Sequence, residues 1–103
     1  MKTAISIALL ALAGNPVFAA DSKAGQAAYE KSCKGCHGAA GVAGPGIAKL
    51  FPNIPDLSSA AVQGESDANL VKVVKEGKGK MKPITTLSAT PDDVVAFLRT
   101  LKK

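Results

Sequence analysis

Tryptophan is absent from this chain of 103 residues, histidine occurs once, and cysteine and methionine occur twice each. Past residue 20 the only aromatic side chains besides His37 are Tyr29, Phe51 and Phe97. Two cysteines make at most one disulfide, which excludes a disulfide-dense scaffold. Two cysteines and one histidine are also too few for a closed tetrahedral zinc site built from those residues. No glycine-rich loop follows a strand, and the chain is short for a nucleotide-binding α/β fold. Base-stacking aromatics are nearly missing, which argues against a nucleic-acid partner. So small a chain, with so few large side chains, buries a thin core by itself. A staple, a metal or a large cofactor is expected to complete it.

Long apolar runs are equally scarce. The single one, Ala4 to Ala13, has ten residues, against about 20 needed to cross a bilayer. Lys2 precedes it, Asn15-Pro16 breaks it, and Val17-Phe18-Ala19-Ala20 offers small residues for cleavage after Ala19 or Ala20. This is the pattern of a secretory signal. Residues 1–20 are therefore read as a cleaved signal peptide and 21–103 as one domain, periplasmic or in an equivalent compartment, that does not span a membrane once processed.

Loss of Lys2 leaves 12 of the 13 basic residues against 8 acidic ones, a net charge of +4. The distribution matters more than the sum. Lys72, Lys75, Lys78, Lys80 and Lys82 fall within eleven residues, with Glu76 the one acid among them. Such a run is either an ordinary solvated face or a positive surface that steers an acidic partner.

Three helices are expected. Asp21 to about Lys31 is rich in helix formers, with Ser22 as N-cap. Gly35 to Pro55, punctuated by glycine and proline, reads as loop with a turn of helix around Ile47–Phe51. Ser66 caps a second helix, Asp67 to Glu76, which carries Leu70, Val73 and Val74 on one face and stops at Gly77. Thr90 caps the third, with Pro91 at its first position and Asp92 and Asp93 at the end where the dipole favours negative charge. Val94, Phe97, Leu98 and Leu101 form its apolar stripe. No strand alternation persists, so the fold class is all-α.

The chemistry concentrates in Cys33-Lys34-Gly35-Cys36-His37. Two thiols three positions apart, followed directly by an imidazole, form the attachment signature of c-type haem. Each thiol adds across one vinyl group of the porphyrin, and the next residue projects beneath the ring to offer a nitrogen to iron. A thioredoxin-like redox pair would need a βα junction that is lacking here. A disulfide within the motif would leave His37 unexplained.

His37 is the only histidine, so a second axial ligand from this chain cannot be another one. Past the signal, Met81 is the only methionine. A lone methionine commonly fills core, but Gly77-Lys78-Gly79-Lys80-Met81-Lys82-Pro83 is a polar loop and a poor place for packing material. A soft thioether suits haem iron and raises its reduction potential. Neighbouring lysines become competing ligands where they deprotonate. The alternative is an iron with an open or labile sixth position, serving gas binding, peroxide chemistry or sensing.

With these residues in place, the sequence resembles the small bacterial class I cytochromes c, monohaem proteins of the c6, c551 and c553 kind, over essentially the whole of 21–103. The resemblance implies three main helices and loops wrapped around one covalently attached haem c. It implies that the first helix packs across the last, with Gly25 and Tyr29 meeting Val94 and Phe97. It implies that Cys33 and Cys36 carry the thioethers, that His37 and Met81 bind iron, and that the carbonyl of Pro45, in Gly44-Pro45-Gly46, accepts the N–H of the His37 ring. The implied role is electron carriage between redox proteins with acidic docking faces, as a monomer and not as an enzyme. Two departures stand out: Lys82 separates Met81 from Pro83, and the tryptophan that holds a haem propionate in some relatives has no counterpart. A cytochrome c′ is excluded by chain order, because the attachment motif lies early.

Overall fold

Asp21, rather than Ser22, caps the first helix. In the computed structural model, which describes residues 20–103, Asp21 is extended and its carboxylate accepts from the backbone N–H groups of Lys23 and Ala24, at 2.9 and 3.2 Å. Both residue types cap well. What selects Asp21 is tertiary: its own N–H donates to Asp93 Oδ1, 2.8 Å away on the last helix. Apart from Ala20, the expected signal peptide lies outside the described residues.

Six helical segments run in order among the described residues: α1 Ser22–Ser32, α2 Lys34–His37, α3 Pro45–Leu50, α4 Ala60–Gln63, α5 Asp67–Glu76 and α6 Pro91–Arg99. None is long and apolar enough to cross a membrane. α1, α5 and α6 are the three expected helices, and the caps at Ser66 and Thr90 are where the sequence puts them. At Thr90 the capping box is complete, since Thr90 Oγ1 accepts from Asp93 N–H at 3.1 Å while Asp93 Oδ2 accepts from Thr90 N–H at 3.2 Å. α3 is longer than the turn expected there and begins at Pro45. α4 is a single turn, unexpected from sequence, capped by the Ser59 hydroxyl.

α1 packs most extensively on α6, and α5 packs on α6 as well. The core at the first crossing is small: Ala28, Tyr29 and Cys33 from the α1 segment, Val94, Phe97 and Leu98 from α6, and Leu57 from the connecting loop. Tyr29 and Phe97 meet with ring centroids 5.1 Å apart at 53°, a tilted aromatic contact. Leu101 lies just beyond α6 yet packs against this cluster. Arg99, in the last turn of α6, ties the end of that helix to the α4–α5 junction. Its guanidinium donates to Asp67 Oδ1 at 2.7 Å and to the Gln63 and Glu65 carbonyls at 2.9 and 2.7 Å.

Candidate functional site

Cys33 ends α1 and caps α2 in the same step. Its N–H donates to the Tyr29 carbonyl at 2.8 Å, closing α1, and its own carbonyl accepts from Cys36 and His37 N–H at 3.1 and 2.9 Å. The pentapeptide is thereby one helical turn, and residues spaced i, i+3, i+4 share a face of such a turn. Cys33, Cys36 and His37 accordingly line one cavity, and Lys34 and Gly35 are not part of its wall. Both cysteines are free thiols, Cys33 buried and Cys36 exposed. Burial pushes the Cys33 thiol up and the His37 imidazole down, so His37 is held neutral, the form that binds a metal.

Met81 reaches the same cavity from the far end of the sequence. The loop that brings it there is a tight hairpin. Lys78 N–H donates to the Met81 carbonyl at 2.8 Å and Met81 N–H donates back to the Lys78 carbonyl at 2.9 Å. Gly79 has φ +59, as the first central position of a type II′ turn requires. Ile84 N–H, donating to the Val74 carbonyl at 2.9 Å, returns the chain to α5. Lys82 therefore does no harm to the turn: the hairpin closes at Met81, ahead of Lys82 and Pro83.

The cavity measures about 1240 Å³, larger than the 300–1,000 Å³ or so of common small-molecule sites. Leu57, Leu70, Val73, Ile84 and Leu98 supply apolar wall. Leu50 and Phe51, which the sequence marks only as part of a short helical turn, line it too, and Leu50 is 71% exposed. At the end of a six-residue helix followed by Pro52 they carry no periodic signal, so the sequence does not mark them as cavity wall. Of the five clustered lysines, Lys72, Lys78, Lys80 and Lys82 border the cavity and Lys75 does not.

Pro45 stands apart from these residues. The Nδ1 atom of His37 is buried and has no hydrogen-bond partner among the described residues. Pro45 is not part of the cavity wall; it occupies the first position of α3, where a carbonyl points along the axis toward its own helix's N–H groups. The bond expected between them is not made.

Two thiols and a neutral imidazole on one helical face, a thioether across the sequence, and an apolar cavity too large for the chain's own side chains to fill are what a covalently held haem requires. The residues fit that group. A first helix crossed by a last, with this turn between the first helix and the loops, defines a small c-type cytochrome, a haem-based electron carrier. The chain belongs to the family described as cytochrome c oxidase, cbb3-type, subunit III, whose model matches residues 20–98. Among solved structures it is similar to the KustC0563 c-type cytochrome, at 28% sequence identity and a TM-score of 0.61, over 77% of this chain and 98% of that one. No curated protein matches it.

Proposed function

We propose that this protein is an exported carrier of single electrons, with one haem c joined by thioethers to Cys33 and Cys36 and its iron held between His37 and Met81. The observation that carries the reading is the convergence of these four side chains on one apolar cavity. When bound, the haem supplies a one-electron iron couple. The chain's part is to keep that couple's surroundings the same in both oxidation states. His37 is anchored in the α2 turn and Met81 in its closed hairpin, so neither ligand need move. Leu70, Val73, Ile84 and Leu98 keep water from the site, which favours the less charged state and sustains a high potential. The lysines bordering the cavity provide a positive collar for brief, salt-sensitive encounters with acidic faces of a donor and an acceptor. The family is named for an oxidase subunit, which makes an oxidase one candidate partner.

The test is a visible spectrum of protein exported by a host able to attach haem, with the intact mass of the same sample. Expected are a mass that includes one haem, retained after denaturation, and a weak far-red sulfur-to-iron band that Met81→Ala abolishes. Carbon monoxide should bind the variant readily and the natural protein poorly. A colourless product of polypeptide mass alone overturns the proposal. Ready carbon monoxide binding by the natural protein favours the open-site alternative.

A further inference from the structure

We infer that Gln63 is a positioning residue for the haem cavity: its side-chain nitrogen joins the backbones of Leu57 and Leu98 and so keeps two pieces of apolar wall closed against water. The inference rests on the proposed haem-bearing reading of that cavity and adds to it a group that does not line it. Gln63 Nε2 donates to the Leu57 carbonyl at 2.8 Å and to the Leu98 carbonyl at 2.9 Å. Leu57 belongs to the connecting loop and Leu98 to α6; both are buried and both line the cavity. Gln63 itself stands outside the wall, half-buried at the end of α4.

The parts joined by this clasp are themselves held. Leu57 N–H donates to the Gly41 carbonyl at 2.9 Å. Gly41 is so closely covered that a Cβ there would stand 3.0 Å from Leu57 Cβ and 3.2 Å from Leu101 Cδ1. The Gln63 backbone is fixed at both ends, its N–H donating to the Ser59 carbonyl at 2.9 Å and its carbonyl accepting from the Arg99 guanidinium at 2.9 Å. The clasp therefore runs from the loop after the attachment motif, through Leu57 and Gln63, to α6. The two acceptors decide the residue type. One nitrogen that serves two carbonyls without carrying a charge is a primary amide; a carboxylate only accepts, and a thioether has no N–H or O–H. A single turn such as α4 has little helical stability of its own, so its hold on the wall comes from tertiary bonds of this kind. Removing the donor leaves two buried carbonyls to be satisfied by water, and water beside the haem lowers its potential.

The experiment compares the haem-loaded natural protein with Gln63→Met, which keeps length and bulk but has neither donor nor charge. Thr90→Ala, which weakens the cap of α6 at a residue that does not line the cavity, is the control. For all three, the midpoint potential and thermal unfolding are recorded beside backbone N–H exchange at Leu57, taken as a ratio to Val74 on α5 so that global stability cancels. Gln63→Met is expected to keep its haem, to lower the potential, and to speed exchange at Leu57 by about tenfold or more relative to Val74. Thr90→Ala is expected to lower the unfolding midpoint while leaving potential and ratio in place. An unchanged potential or an unchanged ratio in Gln63→Met overturns the inference, as does an equal change in both variants. Should Gln63→Met fail to accumulate, proton NMR of the natural protein decides: slowly exchanging Gln63 side-chain amide protons are expected, and free exchange overturns the clasp. A natural product without haem would instead sink the ligation reading, and the Leu57 exchange ratio would still read the clasp.

Discussion

Gly25 lies so close beneath Asp93 that a Cβ on the glycine would stand 1.9 Å from the Asp93 carbonyl oxygen and 3.0 Å from the Val94 nitrogen. Both atoms are backbone of α6, and neither can move without shifting the helix. Gly25→Ala therefore forces α1 and α6 apart at the contact that supports Cys33. The expected loss is about 2–3 kcal/mol, in the range of other overpacked positions. In urea unfolding the midpoint should fall with little change in slope; an unchanged midpoint would mean that the helices do not cross here.

Asp93 gives the fold a specific acid sensitivity. Its carboxyl is held below the usual 3.8, chiefly by the Asp21 N–H and next by the Thr90 N–H. A carboxyl whose folded pKa is depressed binds fewer protons folded than unfolded, so stability rises with pH through that window. The contribution is complete above the unfolded value and is lost as pH falls through the folded one. Thermal midpoints measured downward from about pH 5 should decline less steeply in Asp93→Asn than in the natural protein. At neutral pH, Thr90→Ala, which removes the other half of the box, should cost about 1 kcal/mol.

The Met81 hairpin depends on one glycine more than the other. Gly77 has φ +80, and a Cβ there would lie 2.5 Å from the Met81 carbonyl oxygen, whereas Gly79 at φ +59 has open space around it. Gly77→Ala adds a steric conflict to about 1–3 kcal/mol of backbone strain and must displace Met81. Gly79→Ala meets the milder left-handed penalty alone. Absorbance in the far red and carbon monoxide binding should show Gly77→Ala weakened at the sixth position and Gly79→Ala nearly natural.

These sites also show where sequence is informative. Ser66 and Thr90 were readable as caps because capping is settled within four residues, and the attachment motif because its spacing is a turn of helix. Met81 stands out in the sequence because no other methionine competes past residue 20, and it lines the same cavity as the attachment motif. Local signals failed where a distant partner decides. Asp21 displaces Ser22 through Asp93. The short α4 is anchored through Gln63, which donates to the Leu57 and Leu98 carbonyls at 2.8 and 2.9 Å. Pro45 shows the limit of a local signal: a glycine-flanked proline fits several roles, and here its ring starts a helix.

The lysine cluster separates into two groups by position, and that division makes its role testable. Lys78 and Lys80 border the cavity from the Met81 hairpin, while Lys75, as exposed and as charged, lies off it. If the positive collar guides acidic partners to the haem edge, location should matter beyond net charge. The double variant Lys78→Glu, Lys80→Glu is expected to slow reduction of an acidic redox protein by about tenfold or more at low ionic strength. The effect should fade toward 1 M salt, where the Debye length is only about 3 Å. Lys75→Glu combined with Lys23→Glu, an exposed lysine on α1, changes net charge equally and should slow the reaction far less. Stopped-flow rates across a salt series check this, and equal slowing by the two pairs would assign the effect to overall charge rather than to a docking face.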